Sequence, residues 1–234
     1  MPGSADAPRE HPISTTRTAR YFTLGAPAPG VDDLWIVCHG YGQLASAFIT
    51  QFTSIVRPGR LIVAPEALSR FYQGDAQGRH ERDSRVGASW MTREDRLAEI
   101  GDYVRYLDQV AAEVRAVTGT DAPLRILGFS QGVSTAVRWV LQGEVQPAQL
   151  ILWAGDVPQD VTQAVLGEGL TGIAVDLVSG DRDRLVSSGF VARQQARLVR
   201  SGIHTSLHRF DGGHRLDRAL LERLASGPPV RRTG

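Results

Sequence analysis

Residues 124–141 read LRILGFSQGVSTAVRWVL: an apolar run over Leu124–Leu127, then Gly128-Phe129-Ser130-Gln131-Gly132, then a stretch with helical spacing. The run predicts a strand over Leu124–Phe129, and the stretch after it predicts a helix over Gln131–Leu141. The pentapeptide between them fits G-x-S-x-G. So short a motif says little by itself in a chain with 25 glycines. Between a buried strand and a helix it predicts a sharp turn that strains Ser130 and leaves its hydroxyl exposed. Glycines flank the serine because side chains there would collide with the neighbouring strand and helix. The helix N-terminus adds positive potential where an oxyanion would develop.

Outward from this segment the alternation of strand and helix recurs. Residues 1–16 read as a loose tail, Arg17–Leu24 as an outer strand, and Leu34–Cys38 (LWIVC) as a strand buried on both faces. Ser46–Val56 predicts a helix with Phe48, Ile49, Phe52 and Ile55 on one side, and Leu61–Ala64 a buried strand stopped by Pro65. Residues 69–90 form a polar, Gly-rich stretch without a period, and a connection this long is usually functional or mobile. Arg93–Val117 predicts a long helix whose Leu97, Ile100, Val104, Leu107, Val110 and Val114 keep 3–4 spacing.

Gln149–Trp153 and Ile173–Val178 follow as strands, with a short helix between them at Asp160–Leu166. Ser188–Arg200 predicts a helix, His204–Phe210 a strand, Leu216–Ala225 a closing helix, and residues 227–234 a frayed end. Strands alternating with helices predict a doubly wound, mainly parallel sheet with helices on both faces, in one α/β domain over residues 17–226. Chemistry in such sheets lies beyond the carboxyl ends of the strands.

Composition bounds that chemistry. The 234 residues include neither lysine nor asparagine, so all 26 basic residues are arginine, balanced by 25 acidic ones for a net charge of +1. Lysine Schiff bases, PLP attachment and a P-loop are thereby excluded. So even a balance argues against a nucleic-acid partner. No 18-residue apolar run predicts a membrane span, and the first 20 residues lack the apolar core of a secretory signal. The one cysteine, Cys38, fits a reducing compartment, so a cytoplasmic location is expected. Monomer and homodimer both stay open.

A serine hydroxyl needs a base to take its proton. His214, in Phe210-Asp211-Gly212-Gly213-His214, lies in a Gly-rich loop after the last strand, where the chain order serine, acid, histidine places the base. His204 and His208 fall within a strand, His80 in a charged loop and His11 in the tail. The acid should follow a strand end between Ser130 and His214. Asp181 and Asp183 compete in Gly180-Asp181-Arg182-Asp183-Arg184-Leu185-Val186, with Asp156 as a third option and Asp211 too close to His214 in sequence. Spacing alone leaves Asp181 and Asp183 nearly even. Cys38-His39-Gly40-Tyr41-Gly42 ends another strand, and its glycines would let the N–H groups of Tyr41 and Gln131 form a two-donor oxyanion hole.

Together these segments resemble the carboxylesterase/phospholipase family of α/β-hydrolases, which includes the acyl-protein thioesterases. His39-Gly40-Tyr41-Gly42, Gly128-Phe129-Ser130-Gln131-Gly132, the Gly180–Val186 segment and Gly212-Gly213-His214 carry the resemblance, and Gly87-Ala88-Ser89-Trp90 is similar to the family's Gly-x-x-Trp stretch. It spans roughly residues 34–224 and implies an α/β-hydrolase fold with a minimal lid. The family pattern G-x-x-D-x-x-V places the acid at Asp183. The resemblance also implies Tyr41 and Gln131 as oxyanion donors, His39 as an orienting residue, and a substrate pocket bordered by His39, Gly40 and Trp90.

Gln43 departs from the acidic residue many relatives carry after His-Gly-x-Gly, and Trp90-Met91 replaces a Trp-Phe pair. Arg79, Glu81, Arg82, Asp83 and Arg85 make the 69–90 stretch charged rather than apolar, which argues for short or medium acyl esters over a palmitoyl-protein substrate. The expected protein is a serine carboxylesterase for a small-molecule ester, with no metal and no organic cofactor. A thioesterase or lysophospholipase on the same triad is the alternative, and a non-catalytic hydrolase-fold receptor the alternative of another class.

Overall fold

The computed structural model describes residues 8–74 and 84–227. The expectations placed on residues 1–7 and 228–234, and on Arg79, His80, Glu81, Arg82 and Asp83, lie outside the described residues. In chain order the strands are β1 Tyr21–Leu24, β2 Asp33–Cys38, β3 Arg60–Pro65, β4 Ser69–Tyr72, β5 Val86–Ser89, β6 Leu124–Phe129, β7 Gln149–Trp153, β8 Ala174–Gly180 and β9 Thr205–Phe210. The helices are α1 Ala45–Phe48, α2 Arg96–Thr118, α3 Gln131–Gln142, α4 Gln163–Gly169, α5 Ser188–Arg200 and α6 Arg218–Ser226. Seven strands make one sheet in the order β1-β3-β2-β6-β7-β8-β9, parallel throughout except that β1 runs antiparallel to β3.

The apolar runs of the central strands are explained by burial on both faces. Side chains alternate along β2, so Leu34 and Ile36 join the core under α2 and α3, while Trp35 and Val37 join the core under α1 and α6. Leu124 and Ile126 against Leu127 and Phe129 divide β6 in the same way. Each fully buried side chain of this size contributes about 1.5–3 kcal/mol, so both faces are needed. Among the described residues no helix is long and apolar enough to cross a membrane.

Near the amino ends of the strands, on the α6 side, a polar row crosses the sheet. His208 Nε2 lies 2.7 Å from Asp176 Oδ1, whose Oδ2 accepts from the Gln149 amide at 2.7 Å. Arg125 donates to Gln149 Oε1 at 2.8 Å and to Asp33 Oδ1 at 3.1 Å, and Arg60 donates to Asp33 Oδ2 at 2.8 Å. The guanidinium groups of Arg60 and Arg125 also donate to the carbonyls of Ala225 and Leu224, which holds the end of α6 onto the sheet.

Four expectations are corrected. The helix expected over 46–56 is one α turn, α1, followed by a 3₁₀ segment over Ile49–Ile55. Thr50 and Thr53 hydroxyls donate to the carbonyls three residues back, and Ile49, Phe52 and Ile55 are buried at the three-residue period of that tighter helix. The outer strand begins at Tyr21 rather than Arg17. Leu97 is 77% exposed, because spacing states which face a residue takes but not whether a neighbour covers that turn. Finally, the stretch expected to be a loop contains an antiparallel pair, β4 with β5, in which Ser69 faces Ser89 and Tyr72 faces Val86. Four-residue strands of mixed polarity are too short for periodicity to reveal.

Candidate active site

Ser130 stands between β6 and α3 with φ 54° and ψ −118°, a conformation a side chain rarely adopts. Close packing holds it there. A Cβ on Gly128 would lie 2.3 Å from the carbonyl oxygen of Gly132, and one on Gly132 would lie 2.1 Å from that of Cys38. Neither position admits a side chain, so the turn can press against β2. The Ser130 N–H donates to Trp153 O at 2.9 Å, fixing the elbow to the end of β7 as well.

His214 follows β9, and its Nδ1 lies 2.8 Å from Asp183 Oδ2. The other oxygen, Oδ1, accepts from the backbone N–H groups of Leu185 at 2.8 Å and Val186 at 3.0 Å. The Asp183 side chain has no exposed surface. A carboxylate so buried is tolerated because its oxygens have donors. The Arg182 N–H donates to Gly212 O at 2.9 Å, tying the loop of the acid to the loop of the histidine. Of the competing aspartates, Asp181 is half exposed and meets Arg209 at 3.3 Å. Asp211 pairs with Arg182 at 2.6 Å. Of the other histidines, His208 belongs to the polar row and His204 and His11 are exposed.

Residues 40–43 form the turn after β2. Three of its four N–H groups have acceptors: Gly40 donates to Gln43 Oε1 at 2.8 Å, Gly42 to Ala88 O at 2.8 Å and Gln43 to Gly40 O at 3.2 Å. Among the described residues the N–H of Tyr41 has no acceptor. Gln131 opens α3, where the first N–H groups of a helix have no intrahelical acceptor. Gly40 lies against the serine, since a Cβ there would be 3.1 Å from Ser130 Cβ. The Gln73 amide also donates to Gly42 O, so β4 and β5 brace the turn from outside.

His39 and Trp90 lie behind this surface rather than on it. His39 is fully buried; its Nδ1 lies 2.8 Å from Gly40 O and its Nε2 accepts from the Ala67 N–H at 3.1 Å. That pairing requires the neutral ring protonated on Nδ1, and burial holds its pKa below the usual 6.5. The Trp90 indole donates to His39 O at 2.9 Å. The side chain of Gln131, which the sequence marked only for its N–H, accepts from the Trp90 N–H at 3.1 Å and donates to Met91 O at 2.8 Å. It locks the start of α3 to the end of β5.

Ser130 and His214 both line a cleft of about 410 Å3 whose remaining wall includes Ser134, Asp156, Leu185, Val186 and Phe190. His39, Gly40 and Trp90, expected around the substrate, are not in that wall. The Leu185-Val186 pair after the acid was visible in the sequence; Ser134 and Phe190 carried no signal, since only the fold brings α3 and α5 to this point. Among the described residues no three His, Cys, Asp or Glu side chains converge as a metal site requires.

No protein-family model matches the chain, and no curated protein matches it. Solved structures do. Esterase PE8 is 25% identical with a TM-score of 0.68, over 90% of this chain and 97% of that one. Acyl-protein thioesterase 2 of Zea mays is 14% identical with a TM-score of 0.66, over 89% and 96%. A Bacillus cereus carboxylesterase is 15% identical with a TM-score of 0.62, over 88% and 92%. The chain therefore has the α/β-hydrolase fold, and its structural neighbours include esterases and an acyl-protein thioesterase, as the four motif segments implied.

Proposed function

We propose that the protein is a serine carboxylesterase that hydrolyses short- to medium-chain acyl esters through an acyl-enzyme. The observation that carries this reading is the His214–Asp183 pair, at 2.8 Å, opening onto the same cleft as the strained Ser130. Ser130 Oγ attacks the ester carbonyl as His214 Nε2 takes its proton. Asp183 holds the ring by Nδ1 and stabilises the imidazolium that forms. The N–H groups of Tyr41 and Gln131 receive the oxyanion. His214 then protonates the leaving alcohol, and in the second half-reaction it deprotonates the water that releases the acid.

The cleft supports the acyl range. Its volume of about 410 Å3 and open wall suit a short chain, with Leu185, Val186 and Phe190 as the apolar contacts. A thioesterase or lysophospholipase would use the same residues, and the maize thioesterase among the neighbours keeps that second reading in view. A profile of acyl chain length on matched oxygen esters and thioesters separates the three.

Turnover of p-nitrophenyl butyrate tests the assignment. Ser130→Ala should lower kcat by about 10⁴-fold or more, with labelling by a fluorophosphonate probe lost. Asp183→Asn should lower it by roughly 10³–10⁴-fold, because it favours the wrong tautomer of His214, whereas Asp181→Asn should stay within about threefold. Wild-type activity in Ser130→Ala would end the proposal. A wild-type protein that the probe fails to label would favour the ligand receptor.

A further inference from the structure

Among the described residues, one ionisable side chain besides His214 lines the cleft around Ser130, and the reaction does not use it: Asp156. Asp156 follows β7 by three residues, and its carbonyl accepts from the Ser134 hydroxyl at 2.6 Å, which ties it to the second turn of α3. Of its carboxylate, Oδ1 accepts from the Gln159 amide at 3.2 Å, and among the described residues it makes no ion pair. Arg197 and Arg138 act on it through space, but among the described residues neither bonds to it directly. Arg138 pairs with Asp160 at 2.8 Å, and Arg197 donates to the carbonyls of Val157 and Val161.

Leu185, Val186 and Phe190 supply apolar surface in the same wall. Partial burial pushes the Asp156 carboxyl above its usual range and outweighs the Gln159 hydrogen bond and the charges of Arg197 and Arg138. A group carrying positive charge on an apolar frame would supply what is missing: its carbons meet the apolar wall while its charge meets the carboxylate.

We propose that Asp156 determines specificity by binding a cationic group of the substrate, so that the cleft prefers ammonium-bearing esters over uncharged ones of the same shape. The inference rests on the esterase reading. Butyrylcholine and its uncharged carbon isostere, 3,3-dimethylbutyl butyrate, differ in charge and hardly in shape. Each is added at pH 8 as a competitor of p-nitrophenyl butyrate, so that binding is read whether or not the competitor turns over. In the wild type the inhibition constant should be about two- to fivefold lower for butyrylcholine, the range of a partly solvated ion pair. In Asp156→Asn the ratio should fall to about one, and Asp156→Ser should reproduce it. The ratio within each variant is the readout, so a change in overall rate does not disturb it.

Equal inhibition by the two competitors in the wild type, or a preference that survives both substitutions, would overturn the role of Asp156 and leave the esterase standing. Undiminished hydrolysis of p-nitrophenyl butyrate by Ser130→Ala would instead remove the esterase reading, and this inference with it.

Discussion

His39 and Cys38 sit side by side at the end of β2, and burial dictates what each can do. The Cys38 thiol is fully buried and pushed up to about 12, so it is neither ionised nor reachable. Burial also depresses the pKa of His39, so the folded protein binds fewer protons there than the unfolded chain does in acid. The stability this ring contributes is fully present above pH 6.5 and declines as pH falls from 6.5 toward the depressed value. For one proton the slope cannot exceed about 1.4 kcal/mol per pH unit. Urea melts between pH 7.5 and 5 should therefore lose stability less steeply in His39→Gln than in the wild type. Equal slopes would mean that the ring is not held neutral. Gln is chosen because its carbonyl can still accept from the Ala67 N–H.

Among the elements, the contact between α3 and the β4–β5 pair braces the turn over residues 40–43. The Gly42 N–H donates to Ala88 O, the Ala88 N–H donates to Gln43 O at 3.3 Å, and the Gln131 side chain closes the other side through Trp90 and Met91. Removing that side chain leaves the Gln131 N–H in place but frees β5 from the helix. Small displacements of catalytic groups are costly, about 10²-fold for 1 Å. Gln131→Leu should accordingly lower kcat about tenfold or more with little change in KM, while a fluorophosphonate still labels Ser130. Unaltered kcat would show that the bridge positions nothing. Gln43 keeps the turn closed by accepting from the Gly40 N–H.

Across the whole molecule the two ends of the sheet have separate duties. The carboxyl ends of β6, β8 and β9 lead into Ser130, Asp183 and His214, while the row from His208 to Arg60 joins six strands near their amino ends. Arg125 and Ser130 are separated by most of β6, roughly 17 Å. Asp33→Ala would leave Arg60 and Arg125 buried without their shared carboxylate, a loss of about 3–5 kcal/mol in chemical denaturation. The activity of the protein that remains folded should be unchanged. A loss below about 1 kcal/mol would mean that the carbonyls of α6 already satisfy both arginines.

Local rules made much of this legible. Strand β6, helix α3 and the serine turn between them follow from the order apolar run, Gly-x-Ser-x-Gly, helical spacing, and each depends on residues within a few positions of one another. Most of the sheet's strands were readable for the same reason, whereas the acid and histidine were found by their order along the chain and not by any local pattern. Motif resemblance alone separated Asp183 from Asp181; the fold separates them physically, sending one carboxylate inward to His214 and the other outward to Arg209. Beyond the Leu185-Val186 pair the wall of the cleft was not legible, because Ser134, Asp156 and Phe190 come from three different segments and meet only when the sheet is assembled. Nor was the retreat of His39 and Trp90 from the surface, since burial depends on what long-range neighbours cover. By itself the sequence determined the alternation of elements and the chemistry available at the strand ends. Only the tertiary structure decided which side chains share the cleft, because proximity between distant segments is a property of packing and not of spacing.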